Sequence, residues 1–315
     1  MGNKNSRLKH KKSTIKKIPE FDQIESEQER QDKLLDYYLS TDINSIDRLH
    51  MYHFLKRYLF RGNFSSPIED ELIKGGSKVL DIGCGPGTWL LDLANKYENS
   101  YFFGVDFKPI FPREIKPNNL EFIEADVTDA LSFHDNEFDF THIEHMSLVL
   151  TSDQWDVVIP ELVSLLIYCT YIFYGVTKPG GYIEVSDRRN SYVGEGPIFR
   201  KMSDALWASC SKRNIDTNLI YNLDSKFELQ PNIGKIHRIE KDLIIGPNGG
   251  KIGLIFQDLA FSYYISEMAI KNLSEEMGIS EEEYKNMTEK DLVEEFKQTS
   301  TECVHFRFWA QKQLS

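Results

Sequence analysis

The twelve residues Lys78-Val79-Leu80-Asp81-Ile82-Gly83-Cys84-Gly85-Pro86-Gly87-Thr88-Trp89 constrain this chain more than any other stretch. An apolar run ends in an acid, three glycines alternate, and helix-compatible residues follow, which reads as strand, tight turn and helix start. Glycines two apart let the backbone turn sharply and lie directly against a ligand, with no Cβ in between. A nicotinamide dinucleotide site uses G-x-G-x-x-G, with the third glycine allowing close helix packing and the helix N-terminus facing a pyrophosphate. Here the spacing is G-x-G-x-G. Asp81, where strand gives way to loop, would repel a phosphate and suits an ammonium group.

Further apolar runs follow at residues 101–106, 120–127 and 138–143, and residues 178–185 read as the Pro179-Gly180-Gly181 turn leading into a fifth strand. Taken in order with the glycine turn, they resemble the motifs of the class I S-adenosylmethionine-dependent methyltransferases. The resemblance implies an α/β, Rossmann-like fold: a mostly parallel seven-stranded sheet with helices on both faces. It also implies S-adenosylmethionine as cofactor. Asp81 would receive the ammonium group, and Gly83, Cys84, Gly85 and Gly87 would lie against the ligand. Asp106 would bond the ribose hydroxyls with Phe107 beside it, Asp126 would meet the adenine amino group, and Val127 would pack on the ring. Asp106 follows the turn by about 20 residues, a spacing that suits a nicotinamide dinucleotide equally. The glycine spacing, not this acid, separates the two.

Upstream, Asp47-Arg48-Leu49-His50, residues 55–60, Arg61-Gly62-Asn63-Phe64 and Pro67-Ile68 resemble the segment preceding motif I in the fungal LaeA-like regulatory methyltransferases, and Phe306-Arg307-Phe308-Trp309-Ala310-Gln311-Lys312 resembles that group's last strand. This likeness spans about residues 31–315. It implies a second possibility, a cofactor-binding regulatory scaffold with weak or self-directed methyl transfer and a regulatory protein partner. Arg48 and His50 read either as closing the cofactor pocket or as solvated positions on an amphipathic helix.

With 315 residues and 41% hydrophobic content, one large core can form without disulfides or metals. The expected plan is a basic tail over residues 1–30, helices over 31–70 capping the cofactor site, and a methyltransferase domain over 71–315 with its lid at 194–230. Cys84, Cys169, Cys210 and Cys303 form no C-x-x-C pair, so neither a zinc site nor a disulfide framework is written, and a reduced, intracellular setting is expected. Residues 1–17 carry seven of the 37 lysines and arginines and no acid, leaving 30 basic against 49 acidic residues in the remainder. Such a body repels phosphates, so a nucleic-acid substrate is disfavoured. Met1-Gly2-Asn3-Lys4-Asn5-Ser6 fits an N-myristoylation signal at Gly2, and the adjoining basic cluster is the usual second membrane signal. The same lysines also read as a solubilising tail or a nuclear import signal, so the expected location is cytoplasmic or nuclear, with peripheral membrane association through Gly2 as the alternative.

No signal peptide is expected, and although residues 157–176 are nearly all apolar, their flanks are neighbouring strands of one sheet, which rules out a membrane crossing. A helix over 154–166 accounts for most of the run. The remainder, 164–175, reads as a protruding apolar hairpin, a partner surface or retained unspliced sequence. Further on, the pattern predicts a loop at 194–199, helices over 199–210 and 218–227, late strands over 236–245 and 304–310, and helices over 256–270 and 281–296.

A sulfonium supplies both the electrophilic methyl group and a neutral leaving group, so the protein needs mainly to align a nucleophile and exclude water. Glu144 and His145, after the fourth strand, are the candidate bases, with His145 the better by its ordinary pKa. Tyr182, Asp187, Arg188 and Arg189 are candidates for contact with the acceptor, a small molecule or protein side chain.

Overall fold

The computed structural model describes residues 43–129, 131–163, 166–168, 171–173 and 175–313. Gly2 and the rest of the basic tail, and residues 31–42 of the expected capping helices, lie outside them.

Helix α1 (Ile43–Leu59) and the short α2 (Glu69–Lys74) precede strand β1 (Lys78–Ile82). The chain continues through α3 (Thr88–Lys96), β2 (Tyr101–Asp106), β3 (Leu120–Glu124), β4 (Phe138–Glu144) and α4 (Ser152–Val163). The sheet runs β3-β2-β1-β4, then β7 (Thr177–Val193), β9 (Glu302–Gln311) and β8 (His237–Ile244). Pairings among the first five are parallel, while β9 is antiparallel to both β7 and β8. This is the expected seven-stranded, mostly parallel sheet.

Residues alternate across the two faces, as the pleat demands. Leu80, Ile82, Val105 and Ile143 pack with Trp155, Val158 and Leu162 of α4, whereas Val79, Phe102 and Phe140 pack with Leu90 and Leu93 of α3. β1 is covered on both sides, and Val79 to Ile82 are buried without a break. A third cluster joins α5 (Pro197–Lys212), α7 (Gly250–Tyr264) and α8 (Glu267–Met277) through Phe199, Met202, Leu206, Phe256 and Leu273.

Several expectations change in detail. The fifth strand does not stop at Val185; pairing with β9 carries β7 to Val193, past a register shift between Arg188 and Tyr192. The excess apolar run forms a ribbon, β5 (Leu166–Tyr168) antiparallel to β6 (Tyr171–Phe173), outside the main sheet. No helix among the described residues is long and apolar enough to cross a membrane. The loop expected at 194–199 already becomes helical at Pro197, and the predicted 218–227 helix is a 3₁₀ turn (Leu219–Asn222) followed by α6 (Leu223–Glu228). The helix expected over 256–270 breaks at Ser266, whose hydroxyl accepts from Ala269 N and caps α8. The last helical stretch divides into α9 (Glu281–Asn286), a π turn and α10 (Val293–Gln298). The segment proposed as a lid is a packed layer in this structure: Phe199, Met202 and Cys210 face one core cluster, Leu223 and Phe227 another.

Candidate active site

Strand order reverses between β1 and β4, so their carboxyl ends open a crevice between diverging connections, the usual ligand site of an open α/β sheet. Asp81, Asp106 and Glu144 stand at or near the ends of β1, β2 and β4 and line one cavity with Gly83, Cys84 and Gly85.

The glycine turn has the geometry that its sequence requires. Gly83, Gly85 and Gly87 have φ of 70°, 54° and 74°, in the left-handed region. A Cβ on Gly87 would come within 2.3 Å of the Phe122 ring. Asp106 fastens the loop: its carboxylate accepts from Gly85 N at 2.7 Å and Lys108 N at 2.9 Å. Burial nonetheless outweighs these bonds and pushes its pKa up to about 6. One oxygen of Asp81 shares a 2.8 Å hydrogen bond with His142 Nδ1, leaving its second oxygen without a protein partner among the described residues. Burial raises the Asp81 pKa, against the opposing pull of His142. The His142 ring stacks on Trp89, centroids 4.0 Å apart and planes 9° apart, and is thereby fixed in orientation.

Glu144 forms an ion pair with Lys56 of α1. Burial raises the Glu144 pKa, but Lys56, His142 and His145 together hold it well below the usual carboxylate range. Lys56 is only 1% exposed, and its own pKa is lowered by burial. His145 adopts φ of 60°, uncommon for a side chain with a Cβ. Its ring centroid lies 4.2 Å from that of Tyr52, and its Nε2 has no hydrogen-bond partner among the described residues. Burial lowers its pKa well below the ordinary histidine value, and nearby Lys56 adds to the effect.

Helix α1 roofs the crevice with Leu49, Tyr52 and His53. Its attachment is polar: His50 Nδ1 bonds Thr88 Oγ1 at 2.6 Å, and Arg48 donates to Ser262 O at 3.3 Å. Of the two readings left open for Arg48 and His50, neither is a purely solvated position. The segment after α1 is tied down as firmly. Glu184 accepts from the backbone of Ser65 and Ser66 and from the Ser66 hydroxyl, Trp89 Nε1 donates to Asn63 O, and Arg307 donates to Gly62 O.

A second cavity adjoins the first and shares Leu49, Tyr52, His145 and Val149 with it. Its remaining wall comes from Arg48 of α1, Ser147 and Leu148 after β4, β7 (Asp187, Arg188, Tyr192), α5 (Leu206) and α7 (Phe256, Leu259, Ala260, Tyr263, Tyr264). Of the acceptor candidates, Asp187 and Arg188 face this space. Tyr182 instead packs against the α3-side core, and Arg189 pairs with Glu240 at the surface.

Asp81, Gly83, Cys84, Gly85, Asp106, Glu144 and His145 are thus brought together, with Gly87 capping α3 beside them. Phe107, Asp126 and Val127 do not line this cavity: Asp126 accepts from Thr128 N and Oγ1, and Val127 joins the α4-side core. Tyr52, His53 and Lys56 were not anticipated. Their signal was the spacing of Leu49, Tyr52, His53 and Lys56, which places all four on one helix face. No group of metal-ligating side chains occurs among the described residues.

Residues 79–167 match a family described as a methyltransferase domain. A 110-residue stretch is 30% identical to the "Secondary metabolism regulator LAE1" of Cochliobolus heterostrophus, covering 34% of this chain and 35% of that protein. The corresponding likeness to the "Secondary metabolism regulator laeA" of Aspergillus niger is 34% identity over 109 residues, and to the "Protein-methionine methyltransferase laeA" of Emericella nidulans 30% over 113, each covering 34% of this chain and 28% of the relative. The aligned stretch therefore spans about a third of the curated relatives it matches. Among solved structures, a putative type II methyltransferase from Anaeromyxobacter dehalogenans aligns with 82% of this chain and 97% of that one, at TM-score 0.46 and 14% identity. Residues 79–167 thus carry a methyltransferase domain, set in the expected seven-stranded sheet, and the aligned stretch is related to the LaeA regulators.

Proposed function

We propose that this chain transfers a methyl group from S-adenosylmethionine to a small molecule or protein side chain held in the second cavity. The observation that carries this reading is the pair of adjoining cavities with His145 and Tyr52 on their common wall, one cavity built on the glycine turn and the other largely apolar. When bound, the cofactor supplies an activated methyl group and a neutral leaving group. Asp81 offers its unpartnered oxygen to the ammonium group, and Asp106 stands ready for the ribose hydroxyls. Phe107, Asp126 and Val127 are assigned to the adenine end by the family resemblance. Helix α1 keeps water from the crevice and holds the acceptor in line, and orientation of this kind is worth ~7 to 11 kcal/mol.

Neither candidate base is strong. Glu144 is committed to Lys56, and burial makes the His145 imidazole a poor proton acceptor. Acceptors that are nucleophilic without losing a proton, such as a thioether, a neutral amine or a carboxylate, therefore fit best. Calorimetry with S-adenosylhomocysteine, together with transfer of labelled methyl to fractionated lysate, tests the proposal. A chain that ignores both cofactor forms yet binds a pyridine dinucleotide would overturn it.

The relatives' names as regulators favour one second reading, a scaffold in which transfer is weak or directed at the chain itself and a regulatory protein is the partner. Binding of S-adenosylhomocysteine with label only on the chain, or on nothing, supports that reading. The proposed setting is cytoplasm or nucleus, with peripheral membrane attachment if Gly2 is acylated. An unmodified N-terminal mass from the native cell excludes the anchor.

A further inference from the structure

Arg188 is a cation in a largely aromatic chamber. Its guanidinium donates from Nη1 to the Tyr192 hydroxyl at 2.7 Å and bonds the Cys303 thiol, and it forms no ion pair among the described residues. The neighbouring Asp187 does not neutralise it by direct contact. One Asp187 oxygen accepts from Arg188 N at 2.8 Å and the other from Ser147 N at 3.1 Å, so this carboxylate is spent on backbone. By contrast, the surface neighbour Arg189 has a two-pronged partner in Glu240. Arg188 is half-buried, and a guanidinium held among apolar groups without a carboxylate carries a desolvation cost that a ligand supplying the missing charge recovers in part.

The surroundings narrow the ligand. Tyr52, Tyr192, Phe256, Tyr263 and Tyr264 line the same chamber, and Arg188 lines it without touching the cofactor cavity. Burial, only partly offset by Arg188, pushes the Tyr192 hydroxyl up to about 12, so it stays protonated and remains a donor beside the guanidinium. Asp187 adds a nearby negative charge that would repel a dianion such as a phosphate more strongly than a monoanion.

Resting on the methyltransferase reading above, the geometry points to an acceptor that is a small aromatic carboxylic acid, its carboxylate held by Arg188 and Tyr192 while a neutral amine at its other end lies toward His145 and the cofactor cavity. There the amine needs no base to take the methyl group, and the ammonium so formed loses its proton to water.

The test uses the full chain saturated with S-adenosylhomocysteine and two isosteric probes, 4-aminophenylacetate and 4-aminophenylacetamide, whose affinities are measured by calorimetry. The carboxylate should bind at least about tenfold more tightly than the amide. In Arg188→Gln that preference should vanish, and in Arg188→Lys it should survive in part, with S-adenosylhomocysteine affinity unchanged in both. Phenyl phosphate should bind more weakly than the carboxylate. Equal binding of acid and amide, absence of binding by the acid, tighter binding of phenyl phosphate, or a preference that persists in Arg188→Gln would each overturn the proposal. If Arg188→Gln does not fold, the acid–amide comparison on the native chain decides alone. Failure of S-adenosylhomocysteine to bind the native chain is a different result and removes the cofactor reading itself.

Discussion

The cofactor half of this molecule and its acceptor half are built on different principles. The first is founded on one continuous piece of sequence, β1 through β2, where a turn of left-handed glycines and two strand-end acids lie within about 25 residues, and α1 and the end of β4 only close it. The second is assembled from α1, β7, α5 and α7, elements remote from one another in the chain, with no glycine in its lining. Backbone geometry defines the one, side-chain assembly the other. Damage to the first should therefore be local and nearly absolute, and damage to the second graded.

The largest effect expected is at Gly87. Valine there must adopt φ of 74° and displace the Phe122 ring, so Gly87→Val should reduce S-adenosylhomocysteine affinity by more than about a hundredfold and destabilise the fold by about 3 kcal/mol, read by calorimetry and chemical denaturation. Retained affinity would mean that the loop does not carry the cofactor.

Next is the joint between the halves. Lys56→Met leaves Glu144 ionised without its partner and should cost about 3 kcal/mol in denaturation, whereas Lys56→Met with Glu144→Gln should recover more than half. Additive losses would show that the pair is not the joint.

A smaller effect should follow from Asp106. Its pKa in the folded chain is raised to about 6, so it takes up a proton as pH falls through 6 while the unfolded chain does so near 4. Between those values the folded state holds more protons on this group, so the Asp106 contribution in the ligand-free protein, read as the native chain minus Asp106→Asn, should grow as pH falls from 6 to 4. His145 and His305, whose pKa values burial lowers, pull total stability in the opposite sense over the same range. Binding of ribose hydroxyls to the ionised carboxylate runs the other way. Affinity for S-adenosylhomocysteine should weaken about tenfold between pH 7 and pH 5, and Asp106→Asn should flatten this component of the profile.

The smallest effect is expected at His145. With so weak a base, His145→Ala should lower turnover by less than about tenfold with cofactor affinity unchanged; a loss of about 10² to 10⁴ would instead mark a general base.

The strands of the cofactor half were legible because each is an apolar run punctuated by glycine or acid, and periodicity reads such runs well. Legibility faded where pairing partners decide. β7 extends to Val193 because β9 lies beside it, and no local signal in residues 186–193 announces that. Phe107, Asp126 and Val127 were placed by resemblance alone, and the structure sets them outside the cavity lining. Lys56 looked like one more helical lysine, and only its burial against Glu144 shows otherwise.

Residue order alone settled the glycine turn and the acids that end its strands, since steric freedom at φ above zero and the pattern of apolar runs are properties of short segments, while the seven-stranded architecture was what the family resemblance implied. Which cations stay paired, how basic His145 is, and that Arg188 shares a chamber with five aromatic rings were decided by folding. Those properties depend on desolvation and distance between residues remote in the chain, and neither quantity exists until the core has closed.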